Sequence, residues 1–227
     1  MKLRLNSVVN MLALAAAMVA ASSASAQSAG QWTVKVGAAE ITPKVDSGDV
    51  SAPALPGTKA DVGSNTQPIF VIGYGLTDNI SAELDLGLPY KHKLYGAGAI
   101  AGTGELGTVE ALPPTALIQY RFFEPKAMLR PYVGVGITYA YFQKATGSGQ
   151  LTAVSNTGSS TPTTFKLDNK VAGTLQLGLV VNINERWYVD GAVTKTFLKT
   201  KVNFSTGQTQ DMTLNPQSVS LGVGYKF

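Results

Sequence analysis

Eight stretches of this chain alternate between apolar and small or polar residues, with Val180 among the exceptions. Each runs for about ten residues, the length a tilted strand needs to cross a bilayer. The last stretch is the plainest: Val219, Leu221, Val223, Tyr225 and Phe227 alternate with Ser218, Ser220, Gly222, Gly224 and Lys226. Val133, Val135, Ile137, Tyr139 and Tyr141 do the same against Gly134, Gly136, Thr138 and Ala140. So do Leu175, Leu177 and Leu179 against Thr174, Gln176 and Gly178, and Leu84, Leu86 and Leu88 against Glu83, Asp85 and Gly87. Shorter repeats start at Trp32, at Ala116 and at Trp187, and a weaker one carries Phe70, Ile72, Tyr74 and Leu76. Period two is the signature of a strand with one apolar face.

A soluble sandwich would also alternate, but its polar face would carry the Lys and Glu of a solvated surface. Here Gly, Ser and Thr dominate that face, and charged residues make up only 14% of the chain, against about a quarter in an ordinary soluble domain. The connections alternate as well. Thr77-Asp78-Asn79, the segment from Glu124 to Met128, and Asn184-Glu185-Arg186 are short, whereas 43–66, 91–112, 143–165 and 199–214 are long and rich in Gly, Pro, Ser and Thr. In hydrocarbon every backbone N–H and C=O must be paired, so an apolar-faced sheet with free edges must close. The expectation is an all-β protein: a transmembrane, eight-stranded, antiparallel up-and-down β-barrel with short periplasmic turns and long extracellular loops. Aromatic residues at both strand ends, Trp32, Phe122, Trp187 and Tyr225 at one and Tyr139, Tyr141 and Phe197 at the other, mark two interfacial girdles.

The N-terminus reads as an address. Lys2 and Arg4 precede an apolar run from Met11 to Ala21, followed by the small-x-small site Ala24-Ser25-Ala26. Residues 1–26 therefore read as a signal peptide and 27–227 as the barrel, placed in the outer membrane of a Gram-negative bacterium after export. Without Lys2 and Arg4 the chain holds 16 basic against 14 acidic side chains, too even a balance to imply nucleic acid. It has no cysteine and one histidine, which excludes a disulfide framework, a thiolate metal site and a multi-histidine centre. No residue set calls for a catalytic site, a metal or a cofactor.

Several segments resemble the OmpW family of bacterial outer-membrane proteins: Trp32 to Ala39, Tyr74 to Leu84, Leu88 to Lys93, Leu112 to Phe122, Arg130 to Tyr139 and Leu221 to Phe227. The resemblance implies an eight-stranded barrel with a narrow, partly hydrophobic lumen and a role in passage of small hydrophobic compounds. The terminal Phe227 resembles the signal read by the barrel-assembly machinery.

The interior of such a barrel admits only side chains or one small ligand. Face assignment turns Lys35, Arg121 and Lys226 inward against Glu83, Asp85 and Asp190, a charged plug, with a selectivity constriction as the alternative. Gly134, Gly136, Gly178 and Gly222 leave space for a lumen cavity, or simply allow strands to coil and approach closely. Leu55, Leu94, Tyr95, Leu106 and Leu112 are candidates for an apolar outer cup, from which a solute could leave sideways into the bilayer. His92 falls at the outer rim. A lipid-modifying enzyme using His92 with Ser148, Glu105 or Glu110 is one alternative, and a structural barrel for envelope stability, adhesion, or phage or bacteriocin docking is another. The expected partners are outer-membrane lipids and small hydrophobic solutes, with the barrel standing as a monomer.

Overall fold

The computed structural model describes residues 28–227, so the signal-peptide segment lies outside the described residues. Fifteen strands and one short helix follow in order: β1 (Trp32–Thr42), β2 (Asp46–Ser47), β3 (Thr58–Val62), β4 (Asn65–Gly75), β5 (Ile80–Gly87), β6 (Tyr90–Gly98), β7 (Glu105–Leu112), β8 (Thr115–Arg121), β9 (Leu129–Gly147), α1 (Gly149–Val154), β10 (Phe165–Leu167), β11 (Lys170–Asn182), β12 (Trp187–Phe197), β13 (Lys199–Phe204), β14 (Thr209–Thr213) and β15 (Gln217–Lys226).

Eight of these close a ring. β1, β4, β5, β8, β9, β11, β12 and β15 are each hydrogen-bonded to the next, every pair antiparallel, and β15 returns to β1. The ladders place Val135 beside both Ile118 and Leu175, and Val193 beside Leu177 and Val219, so outward apolar residues form continuous rows around the wall. Leu177, Leu221, Val135 and Ile137 are each about 60% exposed, which in water would be an aggregation surface and in lipid is a solvated one. Trp32 against Tyr74 and Trp187 against Tyr225 pack with ring centres 4.8 and 4.9 Å apart at the turn end, where the termini also meet through Phe227 N–H to Trp32 O at 3.0 Å.

Beyond this ring the wall continues, where long loops were expected. β3, β6 and β7 extend one side along the upper half of β9, and β10, β13, β14 and β2 form a second sheet on the other. Proline marks the join: Pro43, Pro89, Pro113, Pro114 and Pro216 sit between the ring strands and their extensions, where a missing N–H breaks the ladder. At that level the alternation changes sign. Below it, apolar residues point out; above it, Lys91, Lys93, Lys199 and Lys201 point out while Leu94, Val109, Val202 and Met212 are buried. The extension is a water-facing tower with its own core, built around Leu94, Leu106, Phe165, Leu198, Val202 and Met212 and capped by Leu151 of α1. Glycine, serine and threonine obscure this second periodicity in the sequence, and its reversed sense hides it from a search for lipid-facing strands.

Candidate functional site

The lumen at the height of the membrane is filled. Lys35 Nζ lies 2.5 Å from Asp190 Oδ1, and Arg121 Nη2 lies 2.6 Å from Glu83 Oε1; all four side chains are buried. Gln119, 0% exposed, ties the pairs to the rest of the wall. Its Nε2 donates to Glu83 Oε2 at 2.8 Å and to Gln176 Oε1 at 2.7 Å, and its Oε1 accepts from Arg121 Nη2 at 2.9 Å and Ser81 Oγ at 3.2 Å. Burying ions is tolerable when they are paired and hydrogen-bonded; here both pairs are made and most of the remaining groups are engaged, with Arg121 Nη1 the buried donor left unbonded among the described residues. The glutamines were legible as inward-facing residues, but only the charges pointed to a plug.

The six charged residues expected to form that plug do not form one cluster. Two ion pairs make its centre. Asp85 lies one inward position further toward the tower than Glu83, and Lys226 lies at the periplasmic mouth, donating to Asn182 Oδ1 at 2.7 Å. Arg130, which enters the sequence reading only as the first residue of an OmpW-like segment, is fully buried and donates to the carbonyls of Asp78 at 2.6 Å and Phe123 at 3.3 Å, pinning two periplasmic turns.

The glycines expected to open a cavity accommodate other groups. A Cβ on Gly178 would collide with the ring of Tyr132, and one on Gly222 would press on Lys35 Cγ. On Gly136 it would strike the backbone of Ala116, and at Gly134 it would crowd Gln119 and Gln176. These absent side chains make room for the plug's aromatic and polar members and for close strand approach. Tyr132 and Tyr188 pack with Val180 and Ala192 as a small core within the lumen.

Above the plug lies a cavity of about 130 Å³. Ala39, Ile41, Leu86, Leu94, Val109, Ala111, Ala140, Leu198, Met212 and Leu214 give it apolar walls, with Pro43, Pro113 and Pro216 at the level of the strand breaks. Its floor carries Asp85 and the threonines Thr115, Thr138 and Thr196, whose hydroxyls run in a row through Thr174 behind them: Thr115 to Thr138 at 2.8 Å, Thr138 to Thr174 at 2.6 Å and Thr174 to Thr196 at 3.0 Å. Of the residues expected to form the outer cup, Leu94 lines this cavity. Leu106 is buried in the tower core above it, Leu112 is half-buried outside it, and Leu55 and Tyr95 are turned to the exterior. The reversal of sense at the tower accounts for Tyr95, which shares the outward face of β6 with Lys91 and Lys93, whereas Leu55 lies in the loop before β3.

His92 is inside rather than on the rim. It lines the cavity wall, stacks on Tyr90 with ring centres 6.3 Å apart, and donates from Nδ1 to Gly63 O at 2.7 Å. Burial lowers its pKa, only partly opposed by the Gly63 bond. The acids and the serine considered as catalytic partners are engaged elsewhere. Glu110 accepts from Lys144 at 2.6 Å, Glu105 from Lys93 at 3.1 Å, and Ser148 Oγ donates to Glu105 O at 2.7 Å while capping α1. The structure does not bring these residues together with His92.

The OmpW family model matches residues 28–227. This chain belongs to the OmpW family. It is 33% identical to outer membrane protein W of Vibrio cholerae over 87% of its own length and 89% of that protein. It is likewise 33% identical to outer membrane protein W of Salmonella typhi, over 95% of this chain and 97% of the relative. The crystal structure of OprG from Pseudomonas aeruginosa superposes with a TM-score of 0.78 at 28% identity, covering 88% of this chain and 97% of OprG. The chain is thus an OmpW-type outer-membrane β-barrel of a Gram-negative bacterium, and its plug and cavity are features of an OmpW-family lumen.

Proposed function

We propose that this OmpW-family barrel admits small hydrophobic molecules from the outside into the apolar cavity and releases them sideways into the outer membrane. The observation that carries this is a break in the wall beside the cavity. The β5–β8 ladder ends at Asp85 opposite Thr115, and the β6–β7 ladder begins at Tyr90 opposite Ala111. Residues 86–89 and 112–114 between them have no ladder partners across that seam, and Leu86, Gly87 and Pro113 belong to the cavity lining. A straight path down the axis would meet the Lys35–Asp190 and Arg121–Glu83 pairs, whereas a sideways path leads an apolar solute from one apolar surface to another.

The test is uptake of a hydrophobic fluorescent tracer into proteoliposomes. The wild-type chain lacks cysteine, so a disulfide between Gly87→Cys and Pro113→Cys can close the seam and be reopened by reductant. Tracer uptake is expected to fall to the level of empty vesicles when the seam is bridged and to return on reduction. Ala111→Trp, which fills the cavity, is expected to abolish it. Uptake that persists in both variants would overturn the reading.

A further inference from the structure

The cavity floor holds a carboxylate with one oxygen that no group among the described residues hydrogen-bonds. Asp85 is the only carboxylate among the residues lining the cavity, and its Oδ1 is buried with no hydrogen-bond partner. The cations nearest in the lumen are directed elsewhere. Lys35 Nζ is on Asp190 at 2.5 Å, Arg121 Nη2 on Glu83 at 2.6 Å, and Lys226 Nζ on Asn182 at 2.7 Å. His92 spends Nδ1 on Gly63 O, and Thr115 Oγ1 is shared between Pro113 O and Thr138. An acceptor of this kind is costly to bury in apolar surroundings, and the cost disappears when a bound molecule brings a donor to it.

We propose that the cavity selects amphiphiles whose polar head donates a hydrogen bond, a primary ammonium best and a hydroxyl next. The head sits on Asp85, and the alkyl or aryl tail rises along Leu94, Val109, Leu198 and Met212. This deepens the reading of the cavity as a solute site and rests on it. Ionised heads that donate gain a charge-assisted bond there. A carboxylate head faces like-charge repulsion at the same floor, and a purely apolar solute leaves Asp85 unsatisfied.

Binding to the full-length barrel in lipid nanodiscs, with empty nanodiscs subtracted for membrane partitioning, tests this with four probes of similar size. They are hexylamine, hexan-1-ol, its isomer 1-methoxypentane, which has no donor, and hexanoate. The expected order is amine, alcohol, ether, with hexanoate bound least. Asp85→Asn is expected to weaken hexylamine about tenfold or more and to leave the ether unchanged. Equal affinity of wild type for amine and ether would overturn the proposal, as would amine binding unaltered by Asp85→Asn. Retention of the compact mobility of the unboiled barrel on a denaturing gel checks that the variant folds, and if it does not, the wild-type series decides alone. Failure of tracer uptake alongside an intact amine preference would remove the sideways route and keep the binding site, so the two readings fail separately.

Discussion

Arg121 and Glu83 meet across the β5–β8 pair at 2.6 Å, each with a side chain 3% exposed. An ion pair at that depth matters most through what happens when half of it is removed. Arg121→Gln leaves a buried carboxylate whose cation is gone, a loss on the order of 3–5 kcal/mol, whereas Arg121→Gln with Glu83→Gln is expected to recover most of it. Urea unfolding in vesicles, followed by the fluorescence of Trp32 and Trp187, measures both. The single variant is also expected to raise ionic conductance in planar bilayers above that of the wild type, because the unpaired group draws water into the lumen.

The reversal of sense at the proline level gives a paired expectation. Leu177→Arg places a charge on the lipid face of the ring and is expected to cost about 2–4 kcal/mol. Lys199→Leu, outward on the tower, exchanges one solvated side chain for another and is expected to change stability by less than about 0.5 kcal/mol. Equilibrium unfolding of the two variants side by side distinguishes a lipid-facing wall from a water-facing one. Equal costs would contradict the placement of the boundary.

Gly178 faces the ring of Tyr132. Gly178→Ala is expected to destabilise by about 1–3 kcal/mol through overpacking. Tyr132→Leu in the same chain should relieve most of that penalty, with Gly178→Ala then nearly neutral against the Tyr132→Leu background. A double-mutant cycle reads the coupling directly.

His92 is buried and its pKa is depressed, so the folded protein binds its proton less readily than the unfolded chain does. Its contribution to stability is therefore complete at pH values above the ordinary histidine range. It is lost progressively as pH falls through about 6.5 toward the lower folded value, because the unfolded chain takes up the proton first. Unfolding midpoints at pH 7.5 and pH 5.5 are expected to differ more in the wild type than in His92→Gln. An identical pH dependence in both would place the histidine in water.

The ring was legible because lipid imposes a single rule on every strand. Val219 to Phe227 and Val133 to Tyr141 could be assigned faces from parity alone, and inward Lys35, Glu83, Arg121 and Asp190 followed from the same parity. What parity does not carry is distance along the barrel axis. Asp85 and Lys226 share a face with the ion pairs, but along their strands Asp85 lies beyond Glu83 toward the cavity and Lys226 lies beyond Gly224, the partner of Lys35, toward the periplasmic mouth. Gly178 and Gly222 were read as space because a missing side chain was visible and the Tyr132 and Lys35 groups that use the room were not. The tower escaped notice because Lys91-His92-Lys93-Leu94 alternates in the opposite sense, and the intervening Gly, Ser and Thr residues resemble loop composition. Arg130 escaped because the strand was read as starting after it, at Val133.

The tower's outward lysines and inward leucines and methionine have a consequence for where a solute first meets the protein. At about 3.3 Å per residue, six-residue β13 runs about 20 Å along its own direction, and at the roughly 35–45° tilt of barrel strands it raises the wall by about 15 Å. That is the depth occupied by the sugars and phosphates of the outer leaflet, a zone in which greasy molecules are poorly soluble. In the uptake proposed above, a solute crosses that zone through the tower's packed apolar interior, behind walls wettable on the outside, so the barrier relieved is the saccharide coat above the bilayer as well as the bilayer itself.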